Sequence, residues 1–262
     1  MKKTEKKTAH PLYTSILLFL MAVAAVTAVT IAWLSIADST KVRSMNLDIT
    51  SGVSLRFDLD EHKTFEEYVK TLTFHQIADR IQSEKGFSME TTPLEPVTSS
   101  DFSTFSFEDG SVVTTNSGAY LEFELNFMAT RDMVVHLSSA NTSTQSGTAV
   151  SSDNSALAQA MRISFTADDT TYIYSPGMGA SSTTYNGAKM FGLSSNMVYS
   201  DDNALFSLKE NQNKVVTVHI WLEGTDEACT DELKGANYSI SLRFEGTDEK
   251  NQLFDSESAG ER

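Results

Sequence analysis

Residues 120–130, YLEFELNFMAT, alternate without a break: Leu121, Phe123, Leu125 and Phe127 fall on one side, Glu122, Glu124 and Asn126 on the other. A period of two marks a half-buried strand of an antiparallel sheet. Residues 215–222 repeat it with Val216, Val218, Ile220 and Leu222, and residues 238–244 with Tyr238, Ile240, Leu242 and Phe244. Weaker strand patterns cover 45–50, 53–59, 133–137, 161–166, 171–174 and 204–208. Short strands separated by Ser/Thr/Asn/Gly-rich turns predict a mainly β fold, an antiparallel β-sandwich.

Helical spacing is a minor ingredient. Thr64 and Glu67 form a capping-box pattern that opens a short helix. Phe74, Ile77, Ala78 and Ile81 then share one helical face, with Gly86 placed to end it. This helical insert, 64–86, is expected over one edge or end of the sandwich. Residues 155–160 add one more turn, and 138–154 and 175–187 read as low-complexity loops.

Near the N-terminus the pattern changes altogether. Residues 12–37 (LYTSILLFLMAVAAVTAVTIAWLSIA) contain no charge. At ~1.5 Å per residue a helix of that length exceeds the ~30 Å hydrocarbon core of a membrane. Lys2, Lys3, Lys6 and Lys7 precede it and Asp38 follows, so the N-terminus stays cytoplasmic and the body goes out. Ser35 and Ala37 are small residues suited to signal-peptidase cleavage between Ala37 and Asp38. Residues 1–37 are therefore a signal peptide, or a membrane anchor through 12–37 if uncut, and 38–262 form the β-sandwich domain.

Composition agrees with one exported domain. The 262 residues are 40% hydrophobic, enough for a core, with a net charge of −15. Without residues 1–37 the charge is −18, from 16 basic and 34 acidic residues. A body so acidic repels phosphate backbones and excludes nucleic acid as a partner. Cys229 is the single cysteine, so no intrachain disulfide forms and none stands near residue 37 to take a lipid.

Candidate chemistry is sparse. His10, His62, His75, His136 and His219 are scattered, and none forms HExxH. There is no GxSxG, Walker loop or GxGxxG after a strand, so no catalytic residue and no metal ligand set is assigned. The pairs Asp58/Asp60, Asp168/Asp169 and Asp201/Asp202 offer carboxylate oxygens suited to Ca²⁺, but none matches an EF-hand loop, and solvated turns are the simpler reading. Trp221 faces away from Val216, Val218, Ile220 and Leu222 and needs its own cover. The 224–233 loop is expected to fold over it and bury Cys229.

Trp33, Asp38 and residues 46–50 (NLDIT) resemble the start of the TasA and camelysin proteins, exported Gram-positive biofilm-matrix proteins processed by a SipW-type signal peptidase. Residues 239–245 (SISLRFE) resemble that family's closing strand, and 216–229 (VTVHIWLEGTDEAC) are similar to a WLEG-x-D-x-x-C block of uncharacterised clostridial exported proteins. The resemblance implies a jelly-roll sandwich whose mature N-terminal strand completes the next subunit, giving fibres. Carried onto this chain, the donor strand lies within 38–50, with Val42, Met45, Leu47 and Ile49 as its apolar residues. It also implies an extracellular or cell-surface location in a Gram-positive bacterium and self-association as the partnership; no cofactor is expected beyond the Ca²⁺ that the acidic pairs could take. Camelysin is described as a metalloprotease, but no ligand set here supports that activity. The alternative of another class is a monomeric surface adhesin or glycan-binding sandwich, with Tyr185, Phe191 and Tyr199 as stacking residues.

Overall fold

The computed structural model describes residues 15–21, 41–49, 54–138, 147–194, 198–233 and 236–254. Of the apolar N-terminal segment only 15–21 fall among these. They form a helix, α1, with Ile16 through Met21 exposed. The Lys cluster, the rest of 12–37 and the Ala37–Asp38 cleavage site lie outside the described residues. Among the described residues no helix is long and apolar enough to cross a membrane.

The body is mainly β. Its elements are β1 (Lys41–Ile49), β2 (Leu55–Asp58), β3 (Thr71–Leu72), α2 (Phe74–Lys85), β4 (Pro96–Val97), β5 (Leu121–Ala129), β6 (Met133–Leu137), β7 (Ala149–Ser152), α3 (Ser155–Ala160), β8 (Met161–Ala167), β9 (Thr170–Tyr174), β10 (Ser182–Tyr185), β11 (Ala188–Phe191), β12 (Ala204–Leu208), β13 (Lys214–Glu223) and β14 (Asn237–Thr247). One six-stranded sheet runs β12-β6-β14-β1-β3, with β7 also on β14; an eight-stranded sheet runs β10-β11-β9-β8-β13-β5-β2, with β4 also on β13.

The alternating positions build the core. Phe57, Phe127 and Phe165 of the larger sheet meet Phe244 of the smaller one at 5.7, 5.1 and 5.9 Å between ring centres. Val216, Val218, Ile220 and Leu222 turn into the same cluster as Met45, Leu47, Ile240 and Leu242. The two inner faces thus share one apolar layer.

Four expectations need correction. The sheets are mixed rather than antiparallel: β1 runs parallel to β14, β11 to β9 and β4 to β13. Strands distant in sequence, such as β1 and β14, are free to pair in either sense because no tight hairpin joins them. Second, the 64–86 insert is not one helical unit. Glu67 does accept from Thr64 N–H at 3.0 Å, but the box closes only a 3-10 turn over Phe65–Glu67. Val69 then exchanges both backbone hydrogen bonds with Phe57, and β3 joins β1, so strand partners take the backbone groups before a helix propagates. Helix α2 starts afresh with its own box, Thr73 with Gln76, and ends at Gly86 with φ 81.

Third, the segments read as loops hold strands. β7 lies within 138–154, where 139–146 fall outside the described residues, and β10 lies within 175–187. Neither buries an apolar face, so neither shows a period of two. Fourth, Trp221 is fully buried, but its cover is the 97–120 segment. Phe102 and Phe105 sit 6.5 and 5.4 Å from its ring and join Val97, Val113 and Tyr120 in a second apolar cluster on the outer face of the larger sheet. Cys229 is buried on the other side, in the core between the sheets.

Candidate functional site: the N-terminal strand and its slot

β1 lies in the interior of the smaller sheet although it is the first strand of the body. On one side β14 pairs with it over its whole length, Lys41 with Asn237 through Ile49 with Phe244. On the other side β3 meets it only at Leu47 and Asp48, with one further bond from Ile49 N–H to Lys70 O at 3.1 Å. Residues 41–46 have no strand partner on that side among the described residues.

All four apolar residues assigned to the strand turn inward. Met45 and Leu47 are fully buried, and Val42 and Ile49 nearly so, whereas Arg43 and Asn46 are exposed. Val42 and Met45 are three apart, which a regular strand would place on opposite faces. A bulge resolves the conflict. Val42 pairs with Tyr238 and Ser44 with the next residue, Ser239, leaving Arg43 as an extra residue outside the ladder. The sequence carries this signal in the spacing 42/45/47/49, where an apolar period of two skips once.

Buried ionisable groups lie on the outer faces. Glu245, next after the Phe244 that pairs with Ile49, is 2% exposed, and burial pushes its carboxyl up to about 7. Across the ladder stands His136, fully buried. Its Nδ1 lies 2.9 Å from Asn203 Oδ1 and its Nε2 3.1 Å from Thr247 Oγ1, while burial holds its pKa below the usual imidazole range. Both ring nitrogens are thus engaged within the fold.

On the larger sheet Ser164, His219 and Glu122 are neighbours on β8, β13 and β5, the order of a nucleophile, a base and a carboxylate. Spacing along the chain could not announce this row; only the strand register assembles it. Glu122 accepts from Lys85 Nζ at 2.6 Å and lies 3.2 Å from His219 Nε2, and its carboxyl is drawn down to about 2, foremost by His219 and then by Lys85. Ser164 Oγ and His219 Nδ1 make no hydrogen bond, to each other or to any other group among the described residues. Both are buried, His219 beneath Phe105 and Tyr120, so no substrate carbonyl reaches the hydroxyl.

The WLEG-x-D-x-x-C block is accounted for by structure. Trp221 Nε1–H donates to Glu223 at 3.0 Å, and the other Glu223 oxygen accepts from Thr225 N–H and Oγ1–H. Gly224 N–H reaches Val97 O, tying the 97–120 cover to the end of β13. Asp226 accepts from Ala228 N–H and pairs with buried Arg162 at 2.5 Å. Burial raises the Cys229 thiol to about 12, which leaves it protonated and inert at neutral pH.

Candidate ligand groups are mostly committed elsewhere. Asp60 pairs with Arg80 and Asp202 with Lys189, and Asp168 and Asp169, both with positive φ, form the β8–β9 turn. Among the described residues no three His, Cys, Asp or Glu side chains converge to hold a metal. A groove of about 500 Å³ runs past Asp101, Asp169, Tyr172, Asn186 and Lys189. Of the proposed sugar-stacking residues, Phe191 is buried, Tyr185 packs against Phe102, and Tyr199 packs against His136. Comparison with protein-family models, with curated proteins and with solved structures finds no match.

Proposed function

We propose that this chain is an exported structural protein of a Gram-positive cell surface or matrix, a jelly-roll-like subunit that forms fibres by passing β1 into the β14–β3 slot of the next copy. The observation that carries this reading is the position of β1. A strand at the start of the body, directly after the apolar segment, fills the interior of a sheet and closes the core with four apolar side chains. At ~1.5–3 kcal/mol each, these represent about 6–12 kcal/mol of burial before ordering costs, available equally to the chain's own strand or a neighbour's. A vacated slot exposes the β14 edge over eight residue pairs, and an incoming strand restores the ladder. Before cleavage the N-terminal segment would tether β1 at the membrane; cleavage after Ala37 by a signal peptidase would free it.

The test is deletion of residues 38–50 followed by addition of the shortened protein to intact mature protein. Filament growth is expected to slow as empty-slotted subunits accept a strand at fibre ends and offer none. If the shortened protein polymerises alone, strand exchange is wrong.

A further inference from the structure

We infer that Arg43 is the register key of the β1 slot, the residue that permits the strand to seat in one position only. The inference rests on the strand-exchange reading for its consequence between subunits, but it applies equally to β1 within its own chain. A strand with a strict period of two can slip by two residues and keep its faces. In β1, Met45, Leu47 and Ile49 have that freedom by themselves: Met45 fits Leu47's place, and Leu47 fits Ile49's.

Arg43 removes it. In a slip that moves every residue two places along β14, Arg43 enters the position of Met45, which is fully buried among apolar side chains opposite Ile240. A guanidinium there has no carboxylate to meet and loses its water. The opposite slip puts Ser44 in Val42's place and Ser51 in Ile49's, and brings Met45 to the exposed bulge. The seated register alone puts the one charged side chain of the 42–47 stretch outside and every apolar one inside. The bulge is what makes this possible, because it holds Arg43 out of the ladder while Val42 and Met45 both turn in. Bulges in parallel pairs are uncommon.

A chain that must find a slot on another molecule needs such a key more than one that folds only onto itself. A mis-seated strand in a fibre would be propagated as a weak joint.

Cysteine pairs read the register directly, with buried Cys229 left in place. Ser44→Cys with Ser239→Cys reports the seated position, since the two are Cα partners. Ser44→Cys with Ser241→Cys reports the slip that carries Arg43 inward. Non-partner positions two residues off lie beyond the ~7 Å that a disulfide spans, so each pair reports one register. With Arg43 present, the 44/239 bond is expected to exceed the 44/241 bond at least tenfold under mild oxidation. Arg43→Val, and separately deletion of Arg43, which restores an unbroken period from Val42 to Ile49, are expected to bring the two yields within about threefold. A circular-dichroism melt confirms that each variant folds, and the deletion serves should the substitution fail. Substantial 44/241 bonding with Arg43 in place, or no change in either variant, overturns the inference. Non-reducing gels separate this from the exchange reading: single-register bonds found only within chains leave the key standing and remove strand exchange, and single-register bonds between chains support both.

Discussion

β1 and β13 each turn four apolar side chains into the layer between the sheets, Val42, Met45, Leu47 and Ile49 from one, Val216, Val218, Ile220 and Leu222 from the other. All eight are buried, yet the strands are retained differently. β13 pairs with β5 over seven residues and β8 over six, with β4 alongside its end. Its outer face carries Trp221 and Glu223, buried under the 97–120 cover. β1 has a full partner on one side, two residues of β3 on the other, and an outer face of Arg43, Ser44, Asn46 and Asp48 that remains in contact with water. Inward burial therefore measures what a strand contributes, whereas its second edge and outer face determine whether it can leave. By that criterion β13 is the more firmly held of the two, and β1 is the strand on which the proposed exchange falls.

Truncating the lock on β13 should have the largest effect. Trp221→Ala removes a fully buried indole from between Phe102 and Phe105 and leaves Glu223 without one of its donors. A loss of about 3–5 kcal/mol is expected, read from urea unfolding. A loss below ~1 kcal/mol would mean that the outer cover does not hold β13, and the contrast with β1 would collapse.

Glu122→Gln is a smaller perturbation of the same outer face. It removes a carboxylate that ties the end of α2, through Lys85, to His219 on β13. Glu122 is about one-fifth exposed, which limits the expected cost to about 1–2 kcal/mol at pH 7. Its pKa is about 2 when folded, below the ordinary 4.5, so its contribution is fully present above ~4.5 and is lost as pH falls toward 2. Wild-type and variant stabilities should therefore converge in acid; a gap that persists at pH 2 would assign the cost to shape rather than charge.

The parts legible from sequence are those whose side chains see two different media. β5, β13 and β14 alternate because one face meets the core. β6, α3 and β12 begin and end where their patterns predict, whereas β1 starts at Lys41 instead of residue 45, because the bulge at Arg43 interrupts the alternation ahead of Met45. What escaped has a local physical reason. β7 and β10 each set a single partly buried side chain, Val150 and Tyr185, against an apolar cluster, too little for a period of two to show. The β10–β11 hairpin did leave a sign in turn chemistry: Asn186-Gly187, with φ 46 and 86, is the dipeptide that a two-residue turn requires. The cover over Trp221 comes from residues more than a hundred positions away, a distance at which pattern says nothing. The row of Ser164, His219 and Glu122 and the pairing of His136 with Glu245 exist only through strand register.

The smallest expected effect probes β14, the strand that holds β1. Glu245 sits buried one residue beyond the partner of Ile49, with a carboxyl raised to about 7 by burial against the opposing pull of Gly246 N–H and Arg243. Because the folded pKa lies above the unfolded 4.5, the folded protein binds a proton that the unfolded chain has released between those values. The cost of the buried charge is full above about 7, shrinks as pH falls below it, and is gone only below about 4.5. His136 acts in the opposite sense. Its folded pKa is lowered by burial, so the unfolded chain takes up a proton first and stability declines as pH falls through 6.5. Wild-type stability should thus rise as pH falls from 8 toward 6.5, below which His136 offsets the further gain from Glu245. Glu245→Gln removes the alkaline limb alone. The variant is expected to gain at least about 1 kcal/mol more at pH 8 than at pH 5.5, measured by urea unfolding at both values. Equal gains at both pH values would show that shape, not ionisation, governs the site. If charge governs it, mildly alkaline solution weakens the wall of the β1 slot and leaves β13 untouched.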